Sequence, residues 1–146
     1  MQWLDEDFEE SVDFQLLGMT THLGSHRLCW ELNRVMGWSL AFYKELAPDE
    51  RAGQPRFVVH RYVSEDTGAD VALIANRLPE SLLVKKLPRV DFLLRVGFDT
   101  PEMEGLKHAL RGMRLVSLVV ELDAVKTEAL EHIAVLDLAP DDAPLL

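Results

Sequence analysis

The amino-acid sequence predicts an α+β fold, a two-layer sandwich in which two main helices cover a mainly antiparallel sheet of about five to six strands. Three observations support this prediction. The hydrophobic period changes repeatedly between two and 3.6 residues, two central strand-like segments flank a polar turn, and two helical segments have recognisable ends. The expected order, β-α-β-(β-β)-β-α-β, is roughly ferredoxin-like.

The first strand and helix are predicted from a change of period. Residues 12–19 (VDFQLLGM) suit a strand, and Thr20 and Thr21 are hydroxyl side chains that can cap a following helix. Gly37 is free to take the left-handed conformation that ends a helix. The predicted buried stripe of this helix consists of Leu28, Leu32, Val35 and Met36.

The middle of the chain reads as strands. Residues 39–46 form one, residues 47–55 a loop, and residues 56–63 and 69–77 a hairpin around the turn SEDTGAD. Residues 89–98 alternate apolar and other side chains, which predicts a half-buried strand. Asp91 stands among apolar residues in this segment, and the alternation points its carboxylate outward.

A second helix is expected after Thr100, because a capping hydroxyl, Pro101 and Glu104 follow one another as at helix starts. Residues 115–123 then read as a strand and residues 127–136 as a short closing helix. The predicted buried stripe of the second helix consists of Leu106, Ala109, Leu110 and Met113.

Length and charge limit the organisation and the class of protein. The 146 residues suit one domain, predicted at residues 11–138, between an acidic tail at 1–10 and a second tail at 139–146. The net charge of −10 makes a nucleic-acid partner unexpected, since such binders neutralise phosphates with clustered Lys and Arg. No apolar run approaches the ~20 residues that span a bilayer, and one cysteine permits no internal disulfide, so a cytoplasmic protein is expected.

Three residues at helical spacing, His22, His26 and Cys29, are the candidates for metal binding or for thiol chemistry. Their side chains lie along one flank of the predicted stripe, but three neighbours on one helix converge poorly on one ion. No orienting third group marks a Cys–His nucleophile. We therefore interpret them as the polar flank of a packing helix, and we predict no metal and no other cofactor.

Two further surfaces are candidates for binding. Trp30 lies about 200° around the helix from Leu28, opposite the buried stripe. Either a second layer or the N-terminal tail with Trp3 covers it, or it belongs to an aromatic and basic group, formed by Arg27, Trp30, Arg34 and Trp38, that is the candidate for binding a partner. The local basic concentration formed by Lys85, Lys86 and Arg89 could instead hold an anionic ligand or protect a strand edge from pairing.

Residues 11–123 resemble the IPExxxVDY family of small bacterial proteins, through a "DF-x-L-x-G" strand, a "HL…RLCW-x-LN" helix and the segment LLVKKLPRVDFLLRV. The Ile-Pro-Glu of the naming motif corresponds to Val84, Lys85 and Lys86 here, and its Val-Asp-Tyr to Val90, Asp91 and Phe92. The resemblance implies a small bacterial cytoplasmic protein and carries no established activity.

The expected function is a non-enzymatic protein-binding or adaptor module, because the sequence lacks the phosphate-binding and nucleophile motifs of common enzyme classes. Its partner is expected to be another protein, with a homodimer as one option, and no membrane is expected. A sensor of a small anionic ligand and a metal- or thiol-dependent enzyme remain as alternatives.

Overall fold

A computed structural model of the chain describes residues 14–48, 51–97, 100 and 103–122. The elements follow one another as β1 (Phe14–Thr21), α1 (Ser25–Met36), β2 (Ala41–Leu46), β3 (Phe57–Val63), β4 (Asp70–Ala75), β5 (Arg77–Leu78), β6 (Ser81–Leu82), β7 (Phe92–Gly97), α2 (Met103–Arg111) and β8 (Val116–Leu122). The predicted α+β class is confirmed, and the order of elements matches the predicted one apart from the added β5–β6 pair. The predicted tails and the closing helix lie outside the described residues.

Six strands form one sheet in the order β2-β3-β4-β7-β1-β8, and every neighbouring pair is antiparallel. The chain reaches β2, at one edge of the described sheet, directly from β1 near the other edge through α1. It crosses from β7 over β1 to β8 through α2. The first and last strands of the described chain, β1 and β8, therefore pair with each other, and β1 lies between β7 and β8.

One face of the sheet packs against both helices. Leu28 and Leu32 of α1 and Leu106 and Leu110 of α2 are buried in a single apolar cluster with the inward side chains of the central strands. These sheet residues are Leu17, Met19, Val71, Leu73, Ala75, Phe92, Leu94 and Val96. Burial of this face accounts for the helical stripes seen in the sequence.

The opposite face of the sheet is buried as well. A second apolar cluster joins strand residues such as Leu16, Ile74 and Leu93 to Leu83, Val84 and Val90, which belong to the segment 77–90 between β4 and β7. Strand β7 was predicted to be half-buried, and that prediction is wrong: Leu93 and Arg95, which alternate with its helix-facing residues, are buried too.

Helix α1 begins later than predicted. Thr20 and Thr21 belong to β1, where they pair with Leu118 and Val116 of β8, and the helix starts after Gly24. Its end is as predicted, because Gly37 has φ +71° and donates its N–H to the Asn33 carbonyl at 2.9 Å. None of the helices in the described part of the chain is long and apolar enough to cross a membrane.

Candidate functional site

The most exposed tryptophan of the described chain lies on the outer face of α1 between two arginines. Trp30 is 55% exposed, and the guanidinium carbons of Arg27 and Arg34 lie 5.0 and 5.6 Å from the centroid of its ring. This spacing follows from the helix, since residues three and four positions apart are neighbours on its surface. Cation–π attraction therefore holds an exposed indole in place.

A carboxylate fixes both arginines. The Glu31 carboxylate lies 2.8 Å from Arg34 and 3.4 Å from Arg27, and the residue is only 8% exposed. The hydrogen bond from Arg34 and the charges of both guanidinium groups hold the pKa of Glu31 below its ordinary value, against the effect of burial. We call Arg27, Trp30, Glu31 and Arg34 the Trp30 cluster.

A groove between the two helices adjoins the Trp30 cluster and shares Glu31 and Arg34 with it. It has a volume of about 690 Å³ and opens to solvent. We call it the α1–α2 groove, and its lining residues are Glu31, Arg34, Val35, His108, Ala109, Gly112, Met113, Arg114 and Leu115. Together the cluster and the groove form a continuous surface on the outer side of the helix layer.

The burial pattern of α1 differs from the predicted one at the border of the groove. Val35 was assigned to the buried stripe, but it is 38% exposed at the border of the groove, and Leu115 is 50% exposed in the loop before β8. The other stripe residues are placed as predicted, with Leu28 and Leu32 buried and Met36 partly buried, and the helix also buries Cys29 and Glu31. Val35 and Leu115 are thus two exposed aliphatic side chains that line the groove.

Trp38 was predicted to join this binding surface, and that prediction is wrong. Its side chain is 9% exposed and belongs to the apolar cluster beneath the helices. The left-handed turn at Gly37 reverses the chain, and the Asn33 side chain closes this turn by bonding both the N–H and the carbonyl of Leu40. The turn directs Trp38 inward while Trp30 stays outside.

The residues considered for metal or thiol chemistry are separated by burial. His22 and His26 are exposed, whereas Cys29 is buried in the core. Burial raises the pKa of the Cys29 thiol to about 11, so the thiolate is scarce at neutral pH. Among residues 14–48, 51–97, 100 and 103–122, no group of three His, Cys, Asp or Glu side chains is arranged to hold a metal ion.

Sequence patterns gave no sign of a histidine pair that links α1 to the sheet. The His60 ring of β3 is 4% exposed and lies edge-on to the His26 ring, with centroids 5.6 Å apart, and to the exposed Phe42 ring. Its Nδ1 atom has no hydrogen-bond partner within the described residues. Burial, followed by the charge of His26, lowers the pKa of His60.

The basic candidates Lys85, Lys86 and Arg89 are all exposed in the turns of segment 77–90. Of the three, Lys85 lines a second open groove, of about 640 Å³, together with Arg77. The guanidinium group of Arg77 lies 3.1 Å from the Asp91 carboxylate, so its charge is already balanced there. The anionic-ligand hypothesis for these residues stays a prediction.

Asp91 connects three segments of the chain. Its carboxylate accepts the Thr21 N–H at 2.9 Å, its own N–H donates to Met19, and its carbonyl accepts N–H groups of Asn76 and Arg77. The residue lies just before β7 and is half-buried, so it is not an outward-pointing strand residue. Its contacts give it a structural role.

An ionic cluster on the second face of the sheet was also not predicted. The Asp70 carboxylate lies 3.2 Å from Arg61 and 3.4 Å from Arg95, and Arg95 is almost fully buried. Thr100 accepts the Asp70 N–H at 2.9 Å. An arginine in a strand is normally expected to face solvent, and nothing in its local sequence signals that Arg95 faces inward.

The chain matches no protein-family model, and comparison with curated proteins finds no similar sequence.

Proposed function

We propose that the chain is a non-enzymatic protein-recognition module that binds its partner through the Trp30 cluster and the adjoining α1–α2 groove. The observation that carries this proposal is the exposed Trp30 indole between Arg27 and Arg34. Tryptophan and arginine are the residues most enriched where interfaces gain their binding energy. Exposing an indole to water also forfeits the hydrophobic stabilisation that a partner would restore.

The local order of the cluster supports the same proposal. Two ion pairs to Glu31 and two ring contacts restrict the arginines and the indole before any partner arrives. Side chains that are already restricted lose less conformational entropy on binding, so more of the contact energy appears as affinity. Val35 and Leu115 add two exposed aliphatic side chains in the adjoining groove.

The test replaces Trp30 with alanine and compares the proteins captured by each variant from a lysate of the source organism. We expect Trp30→Ala to lose a partner that the wild-type chain retains. Phe42→Ala is the matched control, because Phe42 is a similarly exposed aromatic on β2 and lies outside the cluster and the groove. It should retain the partner.

The folding of both variants is checked by urea unfolding. Because Trp30 is largely exposed, Trp30→Ala should change the free energy of unfolding by less than about 1 kcal/mol. A partner that both variants retain equally, or lose equally, would contradict the proposed surface. So would unfolding of Trp30→Ala, since it would make Trp30 a structural residue.

A further inference from the structure

The Trp30 cluster and the α1–α2 groove carry positive charge on a strongly acidic chain. Among the described residues, three guanidinium groups, those of Arg27, Arg34 and Arg114, stand here against the single carboxylate of Glu31. The whole chain has 25 acidic and 15 basic residues. The net charge of this surface is therefore positive, whereas the net charge of the whole chain is negative.

The arginines keep hydrogen-bonding capacity on their outer side. A guanidinium group has five N–H donors, and the Glu31 carboxylate occupies only some of the donors of Arg27 and Arg34. The side chains of these two arginines remain 60% and 59% exposed. Arg114 is exposed and makes no ion pair within the described part of the chain. Carboxylates of a partner can therefore be bound by paired N–H donors.

The groove itself offers apolar contacts. Val35, Ala109, Met113 and Leu115 line it between the charged residues. Its volume lies within the range of sites that enclose a side chain or a small ligand. A binding segment thus needs a bulky apolar side chain as well as negative charge.

We propose that this surface binds a short acidic segment of a partner protein, with an apolar side chain in the α1–α2 groove and carboxylates on Arg27, Arg34 and Arg114. The proposal rests on the proposed function and adds the chemical class of the partner. A nucleic acid fits less well, because Glu31 lies among the arginines and the net charge of −10 opposes a polyanion.

The test measures the fluorescence anisotropy of labelled ten-residue probes with the full-length chain in 50 mM NaCl. One peptide contains Asp, Glu, Leu and Trp, a second replaces every Asp and Glu by Asn and Gln, and a third probe is a ten-nucleotide single-stranded DNA. We expect the acidic peptide to bind about tenfold or more tightly than either of the others.

Variants then locate the site. Trp30→Ala should weaken binding of the acidic peptide about tenfold or more, as for the central residue of an interface. Arg34→Gln and Arg114→Gln should each weaken it several-fold at 50 mM NaCl and less at 500 mM NaCl, because salt screens exposed charges. Phe42→Ala should bind the peptide as the wild type does.

Equal binding of the acidic and uncharged peptides, tighter binding of the DNA, or equal binding by Trp30→Ala and Phe42→Ala would each overturn the inference. These failures are distinguishable from failure of the proposed function. A lysate partner that is still lost in Trp30→Ala would keep the surface and reject only the acidic segment as its ligand.

The chain contains an acidic segment of its own, MQWLDEDFEE at residues 1–10. A variant with the five carboxylates of this segment replaced by amides separates the two sources. Unchanged affinity for the acidic peptide would support a partner-supplied segment. A marked gain in affinity that persists at 500 mM NaCl, where salt screens the change in net charge, would identify the chain's own segment as the occupant and overturn the proposal of a partner segment.

Discussion

At the scale of single residues, the environment of His60 opposes the charged form of a group that ordinarily titrates just below neutral pH. Its ring is buried between α1 and the sheet, where burial and the charge of His26 lower its pKa below the ordinary 6.5. As the pH falls through 6.5, the unfolded chain binds a proton at His60 more readily than the folded chain does. The free energy of unfolding therefore decreases below pH 6.5.

We predict that His60→Gln removes this part of the acid sensitivity. Between pH 7.5 and 5.5, the wild type should lose more unfolding free energy than His60→Gln, by at most about 1.4 kcal/mol per pH unit for one proton. Urea unfolding at both pH values measures the difference. His22→Gln, at an exposed histidine, is the control and should behave as the wild type.

If His60→Gln does not fold, His26→Gln provides a second test, since it removes the neighbouring charge and should reduce the same loss in part. Identical pH dependence in the wild type and in the folded histidine variants would show that the His60 environment does not affect stability.

At the scale of elements, one side chain fastens the segment 77–90 to the sheet. The fully buried Asn76 amide donates to the carbonyls of Val90 at 2.7 Å and Leu87 at 3.2 Å, and its oxygen accepts the Val84 N–H at 2.8 Å. Its position beside the end of β4 lets one side chain bond both halves of the segment. These bonds keep the second apolar cluster covered.

We predict that Asn76→Ala lowers the free energy of unfolding by about 2–4 kcal/mol, because it breaks three hydrogen bonds and leaves buried polar groups without partners. Asn33→Ala is the matched comparison, since Asn33 makes two such bonds at a half-buried turn. It should cost about 1–2 kcal/mol. Urea unfolding of both variants measures this, and an equal or smaller loss for Asn76→Ala would contradict the anchoring role.

The same segment marks the limit of prediction from sequence. Periodicity identified the six strands of the main sheet and both helices, because each repeats its apolar pattern over several residues. Strands β5 and β6 have two residues each, too few for any period. Asn76 acts on residues 8 to 14 positions away, so no local pattern reveals its role.

The candidate site was only partly predictable from the sequence, because the helical period is a local pattern whereas packing between distant segments is not. The helical period placed Trp30 opposite the stripe of α1 but left open whether another part of the chain covers it, and the structure leaves its side chain 55% exposed. Trp38 and Val35 were placed wrongly, because the turn at Gly37 and the packing of α2 decide their burial. His60 contacts His26 only because β3 packs beneath α1, and the spacing of residues within either element does not predict that contact.

At the scale of the whole molecule, the sheet separates two kinds of surface. Both helices lie on one face, where α1 carries the positively charged Trp30 cluster, while segment 77–90 lies on the other face. The central strands between them are buried on both sides. Substitution of the exposed residues of the Trp30 cluster is therefore expected to leave the core beneath the helices intact, as the proposed binding tests require.

The net charge of −10 leads to the last prediction. Unscreened repulsion among like charges destabilises a compact state, and 500 mM NaCl shortens the Debye length to about 4 Å. Exposed ion pairs contribute little stability that salt could remove, at about 0–1 kcal/mol each. The melting temperature at pH 7.5 should therefore rise between 20 and 500 mM NaCl. A fall would show that attractive pairs, such as Lys107 with Glu121 and Arg61 with Asp70, outweigh the repulsion.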